Sequence, residues 1–556
     1  MNVPFLIKDC TRGAFITYDS TTIMTMMPLR LFSIPIHLSS AVKAAFLFLC
    51  VFILYAHLKR RRARLLANPF GLPSPPGPKP LPVIGNLLDI PKEKEAATYF
   101  NMAQKYGDLV HMSVLGQNIL IVSSFQTANE LFEKRSSNYS DRNEMPMIKD
   151  LMGWDFSFGH MPYGPRWKAH RTMFHRQFQS SVVSSFRPTQ LKEVHKLIRR
   201  MLHEPEDLIN HLRFNSASTI MNVTYGIEIS DHDDHYIVVA ETALEGMAKA
   251  AHPGAFFVDI FPILKHVPDW MPFAEFKRKA KHWRKYVMEM KNAPFERVKA
   301  ALNQGTAAPS FASNLLSDMD LQRSAKDSEE LEETIKNCAG LAYAAGAESV
   351  VSSLSSFILA MIIHPEVQEK ARNEIDRVIG TGRLPDFSDR GSLPYIDAIV
   401  KETIRWSPVA PLGLPHMVTK DDEFRGFHIK SGTMVMGNSW TILHDPSIYP
   451  SPMRFNPDRF LFDPSSSPES MSRVIDPLSV AFGYGRRICP GRFMAEAQLW
   501  ISIACILAGF RIESPGEKVR AEFKSGMICH PEPFKYSIKP RSEKARMLIE
   551  QTVDLI

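Results

Sequence analysis

Hydrophobic and polar spacing divides the chain into an apolar run near the N-terminus, a proline-rich stretch and a long remainder that is mostly helical in pattern. Residues 38–58 carry one charge, Lys43, and are long enough to cross a bilayer, which takes roughly 20 residues. Lys43 lies near one end, where its stem can reach the interface. Pro73, Pro75, Pro76, Pro78, Pro80 and Pro82 follow, a spacing that predicts a stiff polyproline II spacer. Val110–Ser123 alternates and breaks at Gly116, which predicts a hairpin. Glu329–Ile363 reads as one long helix, ended by His364-Pro365 and apolar nearly all round, so it should run through a core. Lys336, Glu348 and five serines between 349 and 356 argue against a second membrane span there. A further apolar helix is expected over Phe493–Leu507, and short strands around Phe427–Met436 and Ser525–Ile538. The fold class is mainly α with small β-sheets.

Charge sharpens the first segment. The formal net charge is +7, but Lys59, Arg60, Arg61, Arg62 and Arg64 sit together directly after the apolar run. That cluster places the C-terminal side in the cytosol. No small-residue cleavage site follows, so the run reads as an uncleaved anchor rather than a signal peptide. The rest of the chain is nearly neutral, which excludes a nucleic-acid partner as the leading reading. Six cysteines form no C-x-x-C pair and are too few for a disulfide framework, so a structural zinc site is unsupported and the main domain should face a reducing compartment. The organisation expected is a lumenal extension over 1–37, an anchor over 38–58, a basic and proline-rich hinge over 59–82, a catalytic domain over 83–541 and a tail over 542–556.

The chemistry concentrates in Phe482-Gly483-Tyr484-Gly485-Arg486-Arg487-Ile488-Cys489-Pro490-Gly491. Its glycines let a flat group approach the backbone. Cys489 stands just before a helix N-terminus with Arg486 and Arg487 nearby, and both features favour the thiolate. A thiolate is the electron-donating axial ligand an iron porphyrin needs for O–O cleavage. A lone cysteine would more often be an inert core thiol. This ten-residue pattern resembles the haem-binding loop of the cytochrome P-450 family, F-x-x-G-x-R-x-C-x-G, at Phe482, Gly485, Arg487, Cys489 and Gly491.

Other segments resemble that family too. Lys401-Glu402-Thr403-Ile404-Arg405 matches its E-x-x-R helix, and by resemblance Arg459, in Phe455–Phe460, joins Glu402 and Arg405 in a buried triad. Ala345-Gly346-Ala347-Glu348-Ser349 is similar to A-G-x-[DE]-T. There Gly346 would leave room beside bound oxygen, and Glu348 with Ser349 would relay protons. Serine departs from the usual threonine; it keeps the hydroxyl, loses the methyl that fixes its rotamer, and can bond back to the Ala345 carbonyl. Trp167 and Arg171 match W-x-x-x-R, whose donors meet a haem propionate; His416 and Arg487 match further propionate contacts. The resemblance spans about residues 70–541 and looks closest to fungal microsomal members.

It implies haem b (iron protoporphyrin IX), O2 and an NADPH-dependent cytochrome P-450 reductase, on a single-pass endoplasmic reticulum protein with its catalytic domain cytosolic. The chain shows neither a flavin nor a nicotinamide fingerprint, so electrons should come from outside. Arg166, Lys168, Arg171 and Arg176 on one basic helix would suit an acidic reductase. By resemblance, Met145–Phe158, Ala344–Ser349, Val409–Leu414 and Ser525–Ile528 line a pocket for a lipophilic substrate, terpenoid-like or polycyclic aromatic. Gly254–Phe273 is apolar and aromatic, and reads either as a membrane-dipping entrance or as core. A reductase-independent isomerase or dehydratase on the same fold, and a haem carrier or sensor, are the competing readings.

Overall fold

The computed structural model describes residues 68–555 except 231–233, 252–253, 320–324, 462–473 and 517; of the preceding residues it describes 47, 48, 51, 52, 54, 55, 58, 59 and 62. The chain separates into two units, residues 1–69 and 70–556. In the first, the described residues between 47 and 62 are helical, and Leu47, Phe48, Val51, Phe52, Leu54, Tyr55 and Leu58 are all exposed. The expected lumenal extension, and much of the expected anchor, lie outside the described residues.

In the second unit, twelve described helices have nine residues or more. They are α1 (Glu95–Tyr106), α2 (Pro165–Phe178), α3 (Arg187–His203), α4 (Leu208–Tyr225), α5 (His235–Ala251) and α6 (Glu275–Asn303), then α7 (Phe311–Met319), α8 (Ala325–Ile363), α9 (Pro365–Val378), α10 (Pro394–Trp406), α11 (Arg492–Gly509) and α12 (Glu543–Gln551). Prolines open α2, α9 and α10, where the missing amide costs nothing, which is how so proline-rich a chain remains helical. Strands β1 (Leu109–Val114), β2 (Gln117–Val122), β3 (His416–Met417) and β6 (Met434–Gly437) form one sheet in the order β1-β2-β6-β3. The turn between β1 and β2 uses Leu115 and Gly116, both at positive φ, as a tight hairpin requires. Pairs β4 (Asp422–Phe424) with β5 (Phe427–Ile429), and β7 (Phe510–Glu513) with β8 (Ser537–Pro540), are separate two-stranded ribbons.

Helix α8 is the spine. Its first half packs, through Ile335, Tyr343 and Ala344, into a cluster shared with α2, α4, α5 and α6. Its second half, through Leu354, Phe357 and Ile358, packs into a cluster shared with α3, α9, α10 and α11. Each such side chain stabilises the fold by about 1.5–3 kcal/mol. Helices α8 and α11 are long and apolar enough to cross a membrane, but most of each apolar stretch is buried inside the fold, as core helices are.

Two expected segments differ in their contacts from a plain spacer and tail. In the proline-rich stretch Pro76 O accepts from His111 N at 2.8 Å, and Pro73 O accepts from His428 N at 2.9 Å. Gly77 lets this contact form, because a Cβ there would lie 1.9 Å from the His111 carbonyl oxygen. The tail over 542–556 is likewise integral. Ser542 caps α12, Ile549 is buried in the second cluster, and Arg199 donates to Thr552 at 2.6 Å. Short range explains a third difference. Ser525–Ile528 forms bends, and among the described residues only Ser537–Pro540 of that region is strand.

Candidate active site around Cys489

The loop before α11 is shaped by its glycines. Gly485 has φ +57, and a Cβ there would meet the Phe132 carbonyl oxygen at 2.1 Å, so no other residue fits. Its amide donates to Glu133 Oε1 at 2.7 Å, and Cys489 N donates to Phe482 O at 2.8 Å. These bonds carry the chain to Cys489 two residues before Gly491, the N-cap of α11. Cys489 lies deep in the fold, yet its surface is only partly covered, as are Phe482, Gly485, Arg487 and Gly491. The loop therefore looks onto an internal opening. Burial pushes the Cys489 thiol up, while the Gly491 and Arg492 amides and the Arg171 and Arg492 guanidiniums pull it down. Sequence reasoning assigned that electrostatic role to Arg486 and Arg487. The structure turns Arg486 toward Tyr163 and Ser136 instead, and gives the role to Arg171 and Arg492.

Three guanidiniums gather beside this opening. Arg487 donates to the carbonyls of Ser140, Phe158 and Met161 at 2.8, 3.1 and 2.8 Å, and lies 4.5 Å from the Trp167 ring centroid. Arg142, which sequence reasoning missed, is buried and donates to the carbonyls of Gly159, Leu414 and Pro415. Nothing in its Asp-Arg-Asn-Glu surroundings signals this, because its acceptors are backbone atoms distant in sequence. Arg171, half-buried, donates to no acceptor among the described residues. Burial lowers all three and a neighbouring guanidinium adds to it: Arg487 acts on Arg142, Arg492 on Arg171, and Arg171 on Arg487, which is brought down to about 10. The carboxylate acting on Arg142 and Arg487 is Asp141, whose Oδ1 is spent on the backbone amides of Arg142 and Tyr163.

Enclosed cations without carboxylate contact are costly unless something neutralises them. A flat ligand bearing two carboxylates, seated against the cysteine loop, fits that excess. The residues present therefore fit haem: Cys489 would hold its iron, and Arg142, Arg171, Arg487 and Trp167 would face its propionates. His416 is placed differently. Burial, then Arg142, holds its imidazole well below the usual range, and Nδ1 is 2.6 Å from Tyr139 O. In that neutral tautomer the proton is on Nδ1, so Nε2 has none to give a carboxylate. His416 braces the strand at Tyr139.

Across the opening runs the middle of α8. Ala345 is exposed although Ala342, Tyr343, Ala344 and Ala347 around it are buried, so that face borders the same kind of internal space. Ser349 Oγ donates to Ala345 O at 2.9 Å, the back-bond its sequence position allows. Glu348 Oε1 is 3.1 Å from His530 Nε2. Gly346 differs from expectation. A Cβ on it would lie 2.6 Å from Ile220 Cγ1, and its carbonyl accepts from Ser216 at 2.7 Å. Its missing side chain admits α4, which is a packing reason rather than room for oxygen.

Behind the loop, Glu402 accepts from Arg405 Nε and Nη2 at 2.6 and 2.9 Å, and Arg459 Nε lies 3.2 Å from Glu402 Oε2. Glu402 and Arg405 are wholly buried. Glu402 Oε1 also takes the Asn456 amide at 2.7 Å, and Arg405 reaches the Leu443 carbonyl at 2.9 Å. On α2, Arg166, Lys168 and Arg176 are exposed, whereas Arg171 faces Cys489 and does not belong to that surface.

The family model described as Cytochrome P450 matches residues 75–538. Cytochrome P450 monooxygenase COX2 of Coprinopsis cinerea is 42% identical over 488 residues, 87% of this chain and 92% of its own length. Cytochrome P450 monooxygenase 98 of Postia placenta is 42% identical over 509 residues, 90% of this chain and 95% of its own. Tryptamine 4-monooxygenase of Psilocybe cyanescens is 39% identical over 503 residues, 88% of this chain and 96% of its own.

Proposed function

This chain belongs to the cytochrome P450 family and is a haem monooxygenase, and on that premise we propose that it oxidises an uncharged lipophilic substrate, terpenoid-like or polycyclic aromatic, with electrons from an NADPH-dependent flavoprotein reductase at the endoplasmic reticulum membrane. One observation carries the substrate class. Ala345 is exposed among the buried Ala342, Tyr343, Ala344 and Ala347, so the space it borders meets an apolar stretch of α8, while the acid on that stretch, Glu348, is already engaged by His530. A cationic amine, of the kind the tryptamine-oxidising relative is named for, would need a free carboxylate.

Haem, when bound, supplies the activation of O2 and the transfer of one oxygen atom to substrate. The chain's own residues do the rest. Cys489 would hold the haem iron through its sulfur, and the Gly491 and Arg492 amides steady the charge on that sulfur. Arg142, Arg171 and Arg487 would bind the propionates. Glu348 and Ser349 move protons toward the oxygen site, with the Ser349 hydroxyl leaving its bond to Ala345 O to do so. The triad of Glu402, Arg405 and Arg459 fixes the segment behind the loop.

The membrane reading is supported by exposed apolar residues in each unit. The N-terminal helix exposes Phe48 and Phe52, and the segment 254–273 exposes Phe257, Ile263, Trp270 and Phe273, which weighs against core packing there. Exposed Arg166, Lys168 and Arg176 suit an acidic reductase.

The test is the reduced, carbon-monoxide difference spectrum of microsomes holding the chain or Cys489→Ser, followed by NADPH-driven oxygen consumption with neutral terpenes, arenes and tryptamine. The expected result is a red-shifted band lost in Cys489→Ser, and product from a neutral lipophile. A band with no reductase-dependent turnover would favour a carrier or an isomerase, and oxidation confined to the amine would overturn the substrate class.

A further inference from the structure

The helix acid of the pocket has a partner that its own helix does not predict. Glu348 Oε1 meets His530 Nε2 at 3.1 Å, with side chains 20% and 25% exposed. His530 belongs to segment 522–532, which folds back on itself: Lys524 N donates to His530 O and Glu532 N to Glu522 O, each at 2.8 Å. That segment is fastened one residue earlier, at Cys529. Its amide donates to Val409 O at 2.8 Å, and its carbonyl accepts from the Ser352 hydroxyl. Glu348 and Ser352 are four residues apart, so they share one face of α8. The two anchors thus set a register in which the imidazole arrives at the acid rather than beside it.

A second carboxylate shares the neighbourhood. Glu241, on α5, lies 3.5 Å from Arg213 Nε on α4. Burial raises the Glu241 carboxyl, Arg213 counters that, and the like charge of Glu348 adds to the rise. Both Arg213 and Glu241 are more than a third exposed. Glu348 therefore stands between a histidine on one side and a solvent-connected anion on the other, next in sequence to the Ser349 hydroxyl.

We propose that His530 is a positioning residue for proton delivery: it holds the Glu348 carboxylate toward the C-terminal loop and hands it a proton, so that Glu348 reaches Ser349 already protonated. This rests on the reading of Cys489 as the haem ligand and of Glu348–Ser349 as the proton-bearing pair. The balance is simple. One proton passes from Nε2 of the imidazolium to Glu348 Oε1, the neutral acid turns toward Ser349, and the vacated Nε2 then takes a replacement from solvent. A histidine suits this role where lysine or arginine would not. It can give up its charge, so releasing Glu348 does not strand a permanent cation.

The test uses the full chain in microsomes with reductase, comparing wild type, His530→Gln, Glu348→Gln, the double variant and Ser352→Ala. The expected result is that His530→Gln keeps the wild-type carbon-monoxide band and binds substrate within about 2-fold, while product per NADPH falls ~10-fold and hydrogen peroxide rises to match. The double variant should be no worse than Glu348→Gln, because the two act as one unit. Amide hydrogen exchange over 523–531 should change little in His530→Gln and rise in Ser352→Ala, which loosens the register and so uncouples in part. If exchange rises in His530→Gln as it does in Ser352→Ala, fastening of the loop is responsible and the inference fails. It fails equally if the losses multiply in the double variant, or if His530→Gln or Glu348→Gln stays coupled. A wild-type chain without the band would instead remove the Cys489 reading, and the inference with it.

Discussion

Two arginine clusters lie on either side of the cysteine loop's support, and they are built on opposite principles. In the cluster behind the loop, one carboxylate, Glu402, touches both Arg405 and Arg459, and the remaining donors reach carbonyls of Leu443, Pro450 and Arg454. In the cluster beside the opening, no carboxylate among the described residues touches Arg142, Arg171 or Arg487; two of them rest on backbone carbonyls and the third has no acceptor among the described residues. In the first, each guanidinium touches a carboxylate of the chain itself. The second carries positive charge that the chain itself does not answer. Charge satisfied from within marks scaffold, and charge left over marks a place where a ligand of opposite sign belongs.

Removing charge should therefore have opposite consequences in the two places. Glu402→Gln leaves two guanidiniums facing each other in the core, and breaking a buried pair in this way costs about 3–5 kcal/mol. We expect a chain that unfolds at lower temperature and does not assemble a haem site. Thermal unfolding by circular dichroism, beside the carbon-monoxide band, reads both. A variant with wild-type stability and full haem would show that the triad is dispensable and would break the contrast.

Arg171→Leu is the mirror experiment. It deletes a cation that donates to no acceptor among the described residues and repels Arg487 and Arg492. The haem-free chain should be no less stable than wild type. The loaded chain should lose haem faster to an added scavenger, by about 1.5–3 kcal/mol, the worth of charge-assisted bonds to one carboxylate. Arg487 is the poorer choice, since its loss would also orphan three carbonyls. Equal destabilisation of haem-free and loaded chains would place Arg171 in the scaffold class.

What could be read from the sequence follows the same division. Local patterns were legible. The β1–β2 hairpin around Gly116, the long helix α8 and its stop at His364-Pro365, and the loop at Cys489 all rest on residues close together in sequence. The Glu402–Arg405 pair was legible as spacing, and its burial only through the family resemblance, because an i,i+3 pair looks the same on a surface. Contacts over long sequence distance were hidden. Nothing near Arg142 announces Leu414 and Pro415, nothing near Glu348 announces His530, and nothing in the proline run announces His111 and His428. Gly346 shows how a correct residue can carry a different physical reason: its motif suggested room for a ligand, and Ile220 occupies the space.

Asp259 offers the smallest and finest test, because it is the reverse of the guanidinium cluster: a half-buried carboxyl with no cation in contact among the described residues. Its Oδ1 accepts the Met147 amide at 2.9 Å, which ties segment 254–273 to the buried stretch around Met147 and Ile148. Burial raises its carboxyl to about 6; the Met147 amide opposes the rise and the like charge of Asp150 adds to it. Asp150 is itself held by Lys265 at 2.9 Å, so that cation is already committed. The sign follows from the raised value. The folded state prefers the neutral acid, so the stabilising contribution is present in full below the unfolded value near 4 and is lost as pH rises through 6. With partial solvent screening the swing should be about 1–2 kcal/mol. Asp259→Asn keeps an oxygen for the Met147 amide and has no proton to lose. Unfolding free energies at pH 5 and 7.5 should therefore differ less in Asp259→Asn than in the wild type, with the variant the more stable of the two at pH 7.5. If the pH dependence is the same in both chains, Asp259 is neutralised by a contact other than protonation, and an unpartnered charge in this fold need not point to a ligand.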